Sequence, residues 1–535
     1  MIQFKRKFSK KSKLALVLVS ALLLSISWWG ASCITIFVGF VPLLLISAQY
    51  SDSKRDAFAM LGWATLAFLL WNALTVWWVW IATPAGPIVA SVVSTWWSLV
   101  AFMLYHIASK HAPKAIAYTI FITAWIATEY IYTQAPAMSF PWLSLGNAFA
   151  DDVWAVQWYE YTGAFGGSLW VLLMNILALE SLLTMSKRMW VVTTVAFVLP
   201  LGVSIILYEV NNPKRECYQA LPKVTVSAIQ PNIDCYAEKF NRTAQQQQDN
   251  LLNLLAEVPD SAEFVLMPET ALAEMIDERN PDNAHIVKRI SQHLAERNPS
   301  AMVVAGGEMI RFYGKHRGSE TARAWRGDHY IDIFNSSLGI DTTSQVQIHH
   351  KGKLVIGVET TPAWLRKGGD LFAVDLGGTF GQLGIGDKQE PFQHNGKKVA
   401  PAICYEGLYG NYMAEFVRNG AEALFVVSND GWWGNTIGHK LLFRYCRLRA
   451  VETRREVARS ANTGVSGFIN LRGEDSNKLT WQERGVTSEN IRLNNRVTFY
   501  TQYGDYIARL SLYIAALCVL YLVAMWAKKR FYLDK

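Results

Sequence analysis

The sequence predicts a multi-pass α-helical membrane domain joined to an α/β domain, and three observations carry that prediction. First, 51% of the 535 residues are hydrophobic and only 18% are charged. That excludes a disordered chain, and the length exceeds the roughly 250–300 residues at which single cores stop growing. Second, the composition is split. Up to Asn212 the chain holds 15 of its 21 Trp but only 12 of its 51 Lys and Arg, whereas Pro213 to Leu510 holds 35 Lys/Arg against 34 Asp/Glu. Third, short β-rich runs alternate with helical patterns after Pro222, the mark of a layered α/β domain. The expected division is 1–212 (membrane domain, seven spans), 213–505 (outer domain) and 506–535 (eighth span and tail).

Crossing about 30 Å of hydrocarbon takes roughly 20 mostly apolar residues. Candidate spans lie at 14–30, 33–50, 57–81, 87–108, 115–133, 165–186, 189–208 and 507–527. The first two are divided only by Gly30-Ala31-Ser32. A basic start, an apolar run and then Cys33 also resemble a lipoprotein signal peptide, but Trp28-Trp29 is bulky for a cleavage region. Phe140-Pro141-Trp142-Leu143-Ser144-Leu145-Gly146-Asn147 is too short and interrupted to span, because Pro141 breaks a helix. It reads as a re-entrant loop on the outer face that helps wall a lipid entrance.

Lys and Arg collect on the cytoplasmic side of membranes. Lys5, Arg6, Lys7, Lys10, Lys11 and Lys13 precede span one; Lys54 and Arg55 follow span two. Lys110 and Lys114 follow span four, Lys187 and Arg188 follow span six, and Lys528, Lys529, Arg530 and Lys535 end the chain. All fall on one side of an eight-span arrangement. Both termini are then cytoplasmic and the stretch after span seven lies outside, in the periplasm of a Gram-negative cell. The membrane half and tail account for +7 of the formal net charge of +8, and the outer domain for +1. The basic balance is thus an orientation signal and gives no support to a nucleic-acid partner.

In the outer domain, strands are expected at 224–229, 263–267 (stopped by Pro268), 302–305 (ended by Gly306-Gly307), 331–340 with 346–349 as a hairpin pair, 398–404, 423–427 and 465–471. Helices are expected at 239–257, with Gln245–Gln248 on its solvated side, and at 438–454. Cys33 and Cys518 fall in spans, and Cys217, Cys235, Cys404 and Cys446 in the outer domain. Spacing alone cannot pair these four. None forms C-x-x-C and no His/Cys cluster suits zinc. His349-His350 would point apart on a strand.

Cys404 ends the apolar strand Val399-Ala400-Pro401-Ala402-Ile403 and precedes Tyr405-Glu406. Strand ends at the mouth of an α/β sheet are where reactive groups are presented. A thiol needs a base or nearby positive charge to act at neutral pH. Glu269, in Met267-Pro268-Glu269-Thr270, and Lys351, after His349-His350, are the candidates. The order Glu269, Lys351, Cys404, each beside a strand, resembles the nitrilase (carbon–nitrogen hydrolase) superfamily over about 223–490. The preceding and following spans narrow the resemblance to the apolipoprotein N-acyltransferase family. So do Phe140-Pro141-Trp142-Leu143, Ser428-Asn429-Asp430-Gly431-Trp432-Trp433-Gly434, Arg447-x-Arg449-Ala450-x-Glu452, Asn462-x-Gly464-Val465 and Tyr503-Gly504-Asp505. Two places depart from the family pattern. Ile356-Gly357-Val358-Glu359 replaces Pro-Phe-Gly-Glu, and Lys239-Phe240 replaces a Lys-Trp pair.

The resemblance implies an αββα sandwich and a Glu269-Lys351-Cys404 triad, with Glu359, Tyr405 and Glu406 supporting. It implies no metal or organic cofactor, and a monomer in the bacterial inner membrane. The implied reaction takes an acyl chain from a phospholipid, holds it as a Cys404 thioester, and passes it to the N-terminal α-amine of a diacylglyceryl-modified apolipoprotein. The alternatives are a membrane-anchored amidase with the same triad acting on soluble amides, a transporter with a passive outer domain, and a scaffold that only binds lipoproteins. Against a transporter, the spans hold few ionisable groups, mainly Glu129 and Glu180.

Overall fold

The computed structural model describes residues 8–83, 86–135, 139–236, 241–343, 345–360 and 382–533. Lys239-Phe240 lies outside them. Chain packing divides into two units, one of Met1–Trp80, Pro84–Leu207 and Asp505–Lys535, the other of Ile81–Thr83 and Tyr208–Gly504.

The first unit is helical: α1 (Lys10–Ser25), α2 (Val41–Ala48), α3 (Lys54–Val76), α4 (Gly86–His111), α5 (Lys114–Gln134), α6 (Ala164–Thr184), α7 (Lys187–Val210) and α12 (Tyr506–Leu533). Seven helices among the described residues are long and apolar enough to cross a membrane. The exception is the expected second span. Cys33–Val38 winds as a 3-10 helix and α2 follows after a break at Gly39-Phe40. Asn175 of α6 repairs the break: its Nδ2 donates to the Ile36 carbonyl (2.9 Å) and its Oδ1 accepts from the Phe40 N–H (2.8 Å). Such repair is required wherever a chain interrupts its own hydrogen bonding away from water. Phe140–Asn147 forms 3-10 turns within this unit, with Trp142 buried and its carbonyl accepting from Trp28 Nε1.

Several basic helix ends share one end of the unit. Lys13 lies over the Tyr50 ring, Lys110 Nζ donates to the Ser47 carbonyl, and Lys114 pairs with Glu180.

The second unit contains two sheets. The first comprises β1 (Lys223–Gln230), β2 (Phe264–Asp277), β3 (Met302–Gly314), β4 (Arg323–Trp325), β5 (His329–Ile340), β6 (Gln347–His350) and β13 (Gly485–Arg492). The second comprises β7 (Phe392–His394), β8 (Lys397–Ile403), β9 (Ala423–Ser428), β10 (Val457–Ala461), β11 (Ser466–Ile469) and β12 (Asp475–Leu479). Their orders are β13-β1-β2-β3-β5-β4, with β6 also on β5, and β12-β11-β10-β9-β8-β7. Each centre is parallel (β1-β2-β3 and β8-β9-β10) and each flank antiparallel.

The sheets pack face to face through β1, β2, β9 and β10, with Phe264 edge-on to Phe425 at 5.2 Å. On the outer face of the first sheet, Ile229, Val265, Val303 and Leu338 pack under α8 (Ala244–Leu255) and α9 (His285–Arg297). Gln248 is buried there, not solvated, and its Oε1 lies 3.3 Å from His285 Nδ1. Helices α10 (Gly410–Arg418) and α11 (Ile437–Thr453) pack on the second sheet. The layers are αββα, and strands buried on both faces explain their near-continuous apolar runs.

Two expected strand ends are corrected. β2 runs on through Pro268 and β3 through Gly306-Gly307. The pairing shifts register between Met267 and Leu272, so the break in the β2 ladder is a bulge that absorbs Pro268 without ending the strand. β10 was not anticipated, because Arg459 and Ser460 interrupt its apolar pattern, nor were α9 and α10.

Candidate active site

The bulge in β2 presents Glu269. Pro268 has no N–H to give the ladder, and Thr270 takes a left-handed φ of 53°. Across the sheet, a Cβ on Gly306 would lie 2.5 Å from Glu269 Cα. Only glycine lets the bulge sit there. Lys351 follows β6, its N–H donating to the Asn335 carbonyl (2.8 Å). Cys404 is the first residue after β8 and has φ 47°, a conformation that non-glycine residues hold only where the surroundings enforce it.

These side chains meet in one buried network. Lys351 Nζ donates to Glu269 Oε1 (2.7 Å) and Glu359 Oε1 (2.8 Å). Asn335 Nδ2 bridges the same two oxygens, at 2.7 and 2.8 Å. The Asn429 N–H donates to Glu269 Oε2 (3.0 Å), and the Cys404 thiol lies within the field of the Glu269 carboxylate. Lys351 is 1% exposed and Cys404 4%.

Charge settles who holds the protons. Burial pushes Glu269 up, but the Lys351 ammonium and the hydrogen bonds from Lys351 and Asn335 outweigh it and hold it below the usual carboxylate range. Burial pushes Lys351 down, yet Glu269 and Glu359 hold it well above its ordinary value. Cys404 is pushed well above an ordinary thiol by burial and then by the Glu269 charge, against Lys351. The resting site therefore holds a carboxylate, an ammonium and a neutral thiol.

Of the expected supporting residues, Glu359 touches Lys351 directly. Its own loop positions it: Gly357 turns the chain at φ 81°, the Glu359 N–H donates to the Val355 carbonyl, and Glu359 Oε2 accepts from the Val355 N–H (2.8 Å). The altered Ile356-Gly357-Val358 sequence thus still delivers the glutamate. Glu406 does not reach Lys351. It accepts from the N–H groups of Gly352 and Ile403 (both 2.7 Å), Tyr412 Oη (2.6 Å) and His349 Nε2 (3.1 Å), so it ties the Lys351 loop to the Cys404 turn. Tyr405 is buried, its ring edge-on to Tyr409. His350 points the other way from His349, toward Ser336 and Glu278.

Sequence reasoning missed Asn335, an amide inside an apolar strand. It also missed the fully buried pair Arg459–Asp430 (2.8 Å). Asp430 accepts from Ser428 Oγ (2.6 Å), and its charge adds to that of Glu269 in raising the Cys404 thiol. A cleft of about 390 Å³ opens on Glu269, Lys351 and Cys404, walled by Leu272, Met275, Val358, Leu383, Trp432 and Trp433 among others. Among the described residues no group of three His, Cys, Asp or Glu side chains is arranged to hold a metal.

Residues 18–177 match the family model "Apolipoprotein N-acyltransferase N-terminal domain", and residues 225–499 match "Carbon-nitrogen hydrolase". A protein named apolipoprotein N-acyltransferase from Chlorobaculum tepidum is 30% identical over 545 residues, 96% of this chain and 97% of that protein. The chain belongs to the apolipoprotein N-acyltransferase family. A protein of the same name from Thermotoga maritima is 23% identical over 96% of this chain and 94% of its own length. Among solved structures, Saccharomyces cerevisiae Nit3, of the nitrilase superfamily, covers 50% of this chain and 90% of its own at 16% identity and a TM-score of 0.35. Within this family, the network around Cys404 occupies the carbon–nitrogen hydrolase half and the helical unit contains the N-terminal half.

Proposed function

We propose that this enzyme transfers an acyl chain from a phospholipid to the α-amine of a diacylglyceryl-cysteine lipoprotein through a thioester on Cys404. One observation carries the reading: a neutral thiol at a strained strand end, against a carboxylate that a buried ammonium keeps charged. Glu269 is the general base. It takes the thiol proton as sulfur attacks the ester carbonyl, and returns it to the leaving lysophospholipid oxygen. Lys351, held by Glu359, stabilises the tetrahedral oxyanion together with the Tyr405 backbone N–H. Such donors contribute roughly 3–4 kcal/mol each. In the second half-reaction the amine attacks the thioester carbon, Glu269 takes its proton, the C–S bond breaks, and the thiolate is reprotonated. An amide is more stable than a thioester, so this step runs downhill.

Glu406 keeps the two reacting loops in register, and the apolar cleft wall keeps water from the thioester. Both substrates are lipids, which gives the membrane helices a mechanical reason. We assign residues 1–212 and 506–535 to the bacterial inner membrane and residues 213–505 to a catalytic domain on its periplasmic side, with both termini cytoplasmic and the protein active as a monomer. The convergence of basic helix ends supports this orientation.

Incubating the purified protein with phospholipid should add an acyl mass, removable by hydroxylamine, to the Cys404 peptide. Adding a diacylglyceryl lipopeptide should discharge it onto the peptide amine. If Cys404→Ala still acquires the mass, the thioester is excluded. Discharge to water alone would indicate an amidase.

A further inference from the structure

Strands β3 and β5 run antiparallel with Glu308 directly opposite Asn335. Opposed residues project to the same face, with Cβ atoms about 4.5–5.5 Å apart. Asn335 projects into the site, because its Nδ2 reaches both Glu269 and Glu359. Glu308 therefore projects there too, and both line the cleft. The next pair on that face, Ile310 opposite Ile333, agrees: they cluster with Leu383, which also lines it.

Two acceptors on this face are unused. The amide of Asn335 has one workable orientation, since turning it over would set its oxygen against two carboxylates. Its Oδ1 is left buried without a hydrogen-bond partner among the described residues, on a residue 4% exposed. Glu308 is partly exposed, and its carboxylate makes no hydrogen bond or ion pair with any described residue. Arg323 feels its charge, after that of Asp332, without pairing with it. A third carboxylate in the cleft, Glu274, is already occupied by the N–H groups of His285 and Ile286. Glu269 and Glu359 thus share the one ammonium of Lys351, and Glu308 adds a third carboxylate to the cleft while the Arg323 charge that it feels is shared with Asp332. The excess is negative. A primary ammonium, with three donors and no acceptor, satisfies both the charge and the unpartnered acceptors.

We propose that Glu308 and Asn335 Oδ1 form a subsite for a primary ammonium on a substrate. The proposal rests on the acyl-transfer reading, in which two sources exist: the α-ammonium of the acceptor or the head group of an aminophospholipid donor.

The test uses the full-length protein and Glu308→Gln. Octylammonium, but not octanol, should slow iodoacetamide alkylation of Cys404, and Glu308→Gln should weaken that protection about tenfold, the order expected for one charge-assisted hydrogen bond. Glu308→Asp, which keeps the charge, should recover part of it, separating charge from folding. Equal protection in wild type and Glu308→Gln overturns the subsite. The half-reactions then identify the source. A roughly tenfold slower thioester formation from phosphatidylethanolamine, relative to phosphatidylglycerol, assigns it to the donor. A roughly tenfold higher KM for a diacylglyceryl lipopeptide, in discharge alone, assigns it to the acceptor. Neither change overturns it. If the wild type forms no thioester at all, the acyl-transfer reading fails, while the protection assay still decides the subsite.

Discussion

In the helical unit, Asn175 and Ser204 are fully buried and neutral, and each mends a main-chain break. Asn175 joins Ile36 to Phe40, and Ser204 Oγ donates to the Trp154 carbonyl while accepting from the Gln157 N–H. In the α/β unit several buried polar groups are full charges in opposed sets: Lys351 with Glu269 and Glu359, Arg459 with Asp430, Arg449 with Glu452. A neutral amide or hydroxyl satisfies a stray N–H or C=O with little desolvation, whereas a charge taken out of water needs an opposite charge beside it. Buried polarity therefore repairs main chain in one unit, while in the other two of the charge sets act on Cys404, through Glu269 and Lys351 and through Asp430. Removing a partner should be far more damaging in the α/β unit.

The sharpest test is Lys351→Met. It leaves Glu269 and Glu359 buried and facing each other, so folding should weaken by about 3–5 kcal/mol and thioester formation should vanish. Adding Glu359→Gln should restore much of the stability and none of the activity. Denaturant unfolding and mass spectrometry of the Cys404 peptide separate the two effects. The wild-type pH dependence follows from the same pair. The folded pKa of Glu269 lies below its ordinary 4.5, so its contribution to stability is complete above that value and is lost as pH falls through the lower folded one. The acid limb of thioester formation should accordingly lie below pH 4.5.

Arg459→Met probes a charge pair that does not line the cleft. Asp430 would be left unpaired at zero exposure, and unfolding should become easier by about 3–5 kcal/mol. Activity per folded molecule should fall much less than in Lys351→Met. An equal fall would mean that the Asp430 charge, which Cys404 feels, takes part in the chemistry.

Gly306→Ala removes no polar group and adds one methyl. With Glu269 Cα only 2.5 Å from the new Cβ, the bulge must shift. Overpacking of this kind costs about 1–3 kcal/mol, and displacing the base should lower the acylation rate by more than that stability loss suggests. Wild-type kinetics in this variant would show that the bulge is not what aims Glu269.

How much of this was legible in the sequence also divides by unit. Length and hydropathy sufficed for seven membrane helices, since a bilayer imposes one dimension on every span. They failed at Cys33–Ala48, where the interruption is stabilised by Asn175, a residue more than a hundred positions away. In the α/β unit, strands with unbroken apolar runs were readable, and the motif order assembled Glu269, Lys351 and Cys404. β10 escaped because Arg459 and Ser460 are buried by partners outside the strand, Asp430 and the Ile229 carbonyl. Asn335 escaped because a lone amide in Ile331–Ile340 carries no local mark of what faces it. Pro268 was misread as an end because nothing nearby in sequence announces the glycine at 306 that accommodates the bulge.

The smallest effect should come from the helical unit itself. Asn175→Leu strands the Ile36 carbonyl and the Phe40 N–H in one step, yet leaves no charge behind. Hydrogen bonds inside membranes are worth about 0.6–2 kcal/mol each, because the unfolded chain also finds partners there. The loss in thermal stability should be modest, and acylation of Cys404 at low temperature should persist. Asn175→Gln, with the same amide one methylene further out, should recover only part of the loss, because Oδ1 and Nδ2 now bridge two groups at fixed spacing. If Asn175→Leu instead unfolds the protein as thoroughly as Arg459→Met, the contrast between neutral repair and paired charge is wrong, and the break at Gly39-Phe40 would have to be a keystone of the whole helical unit.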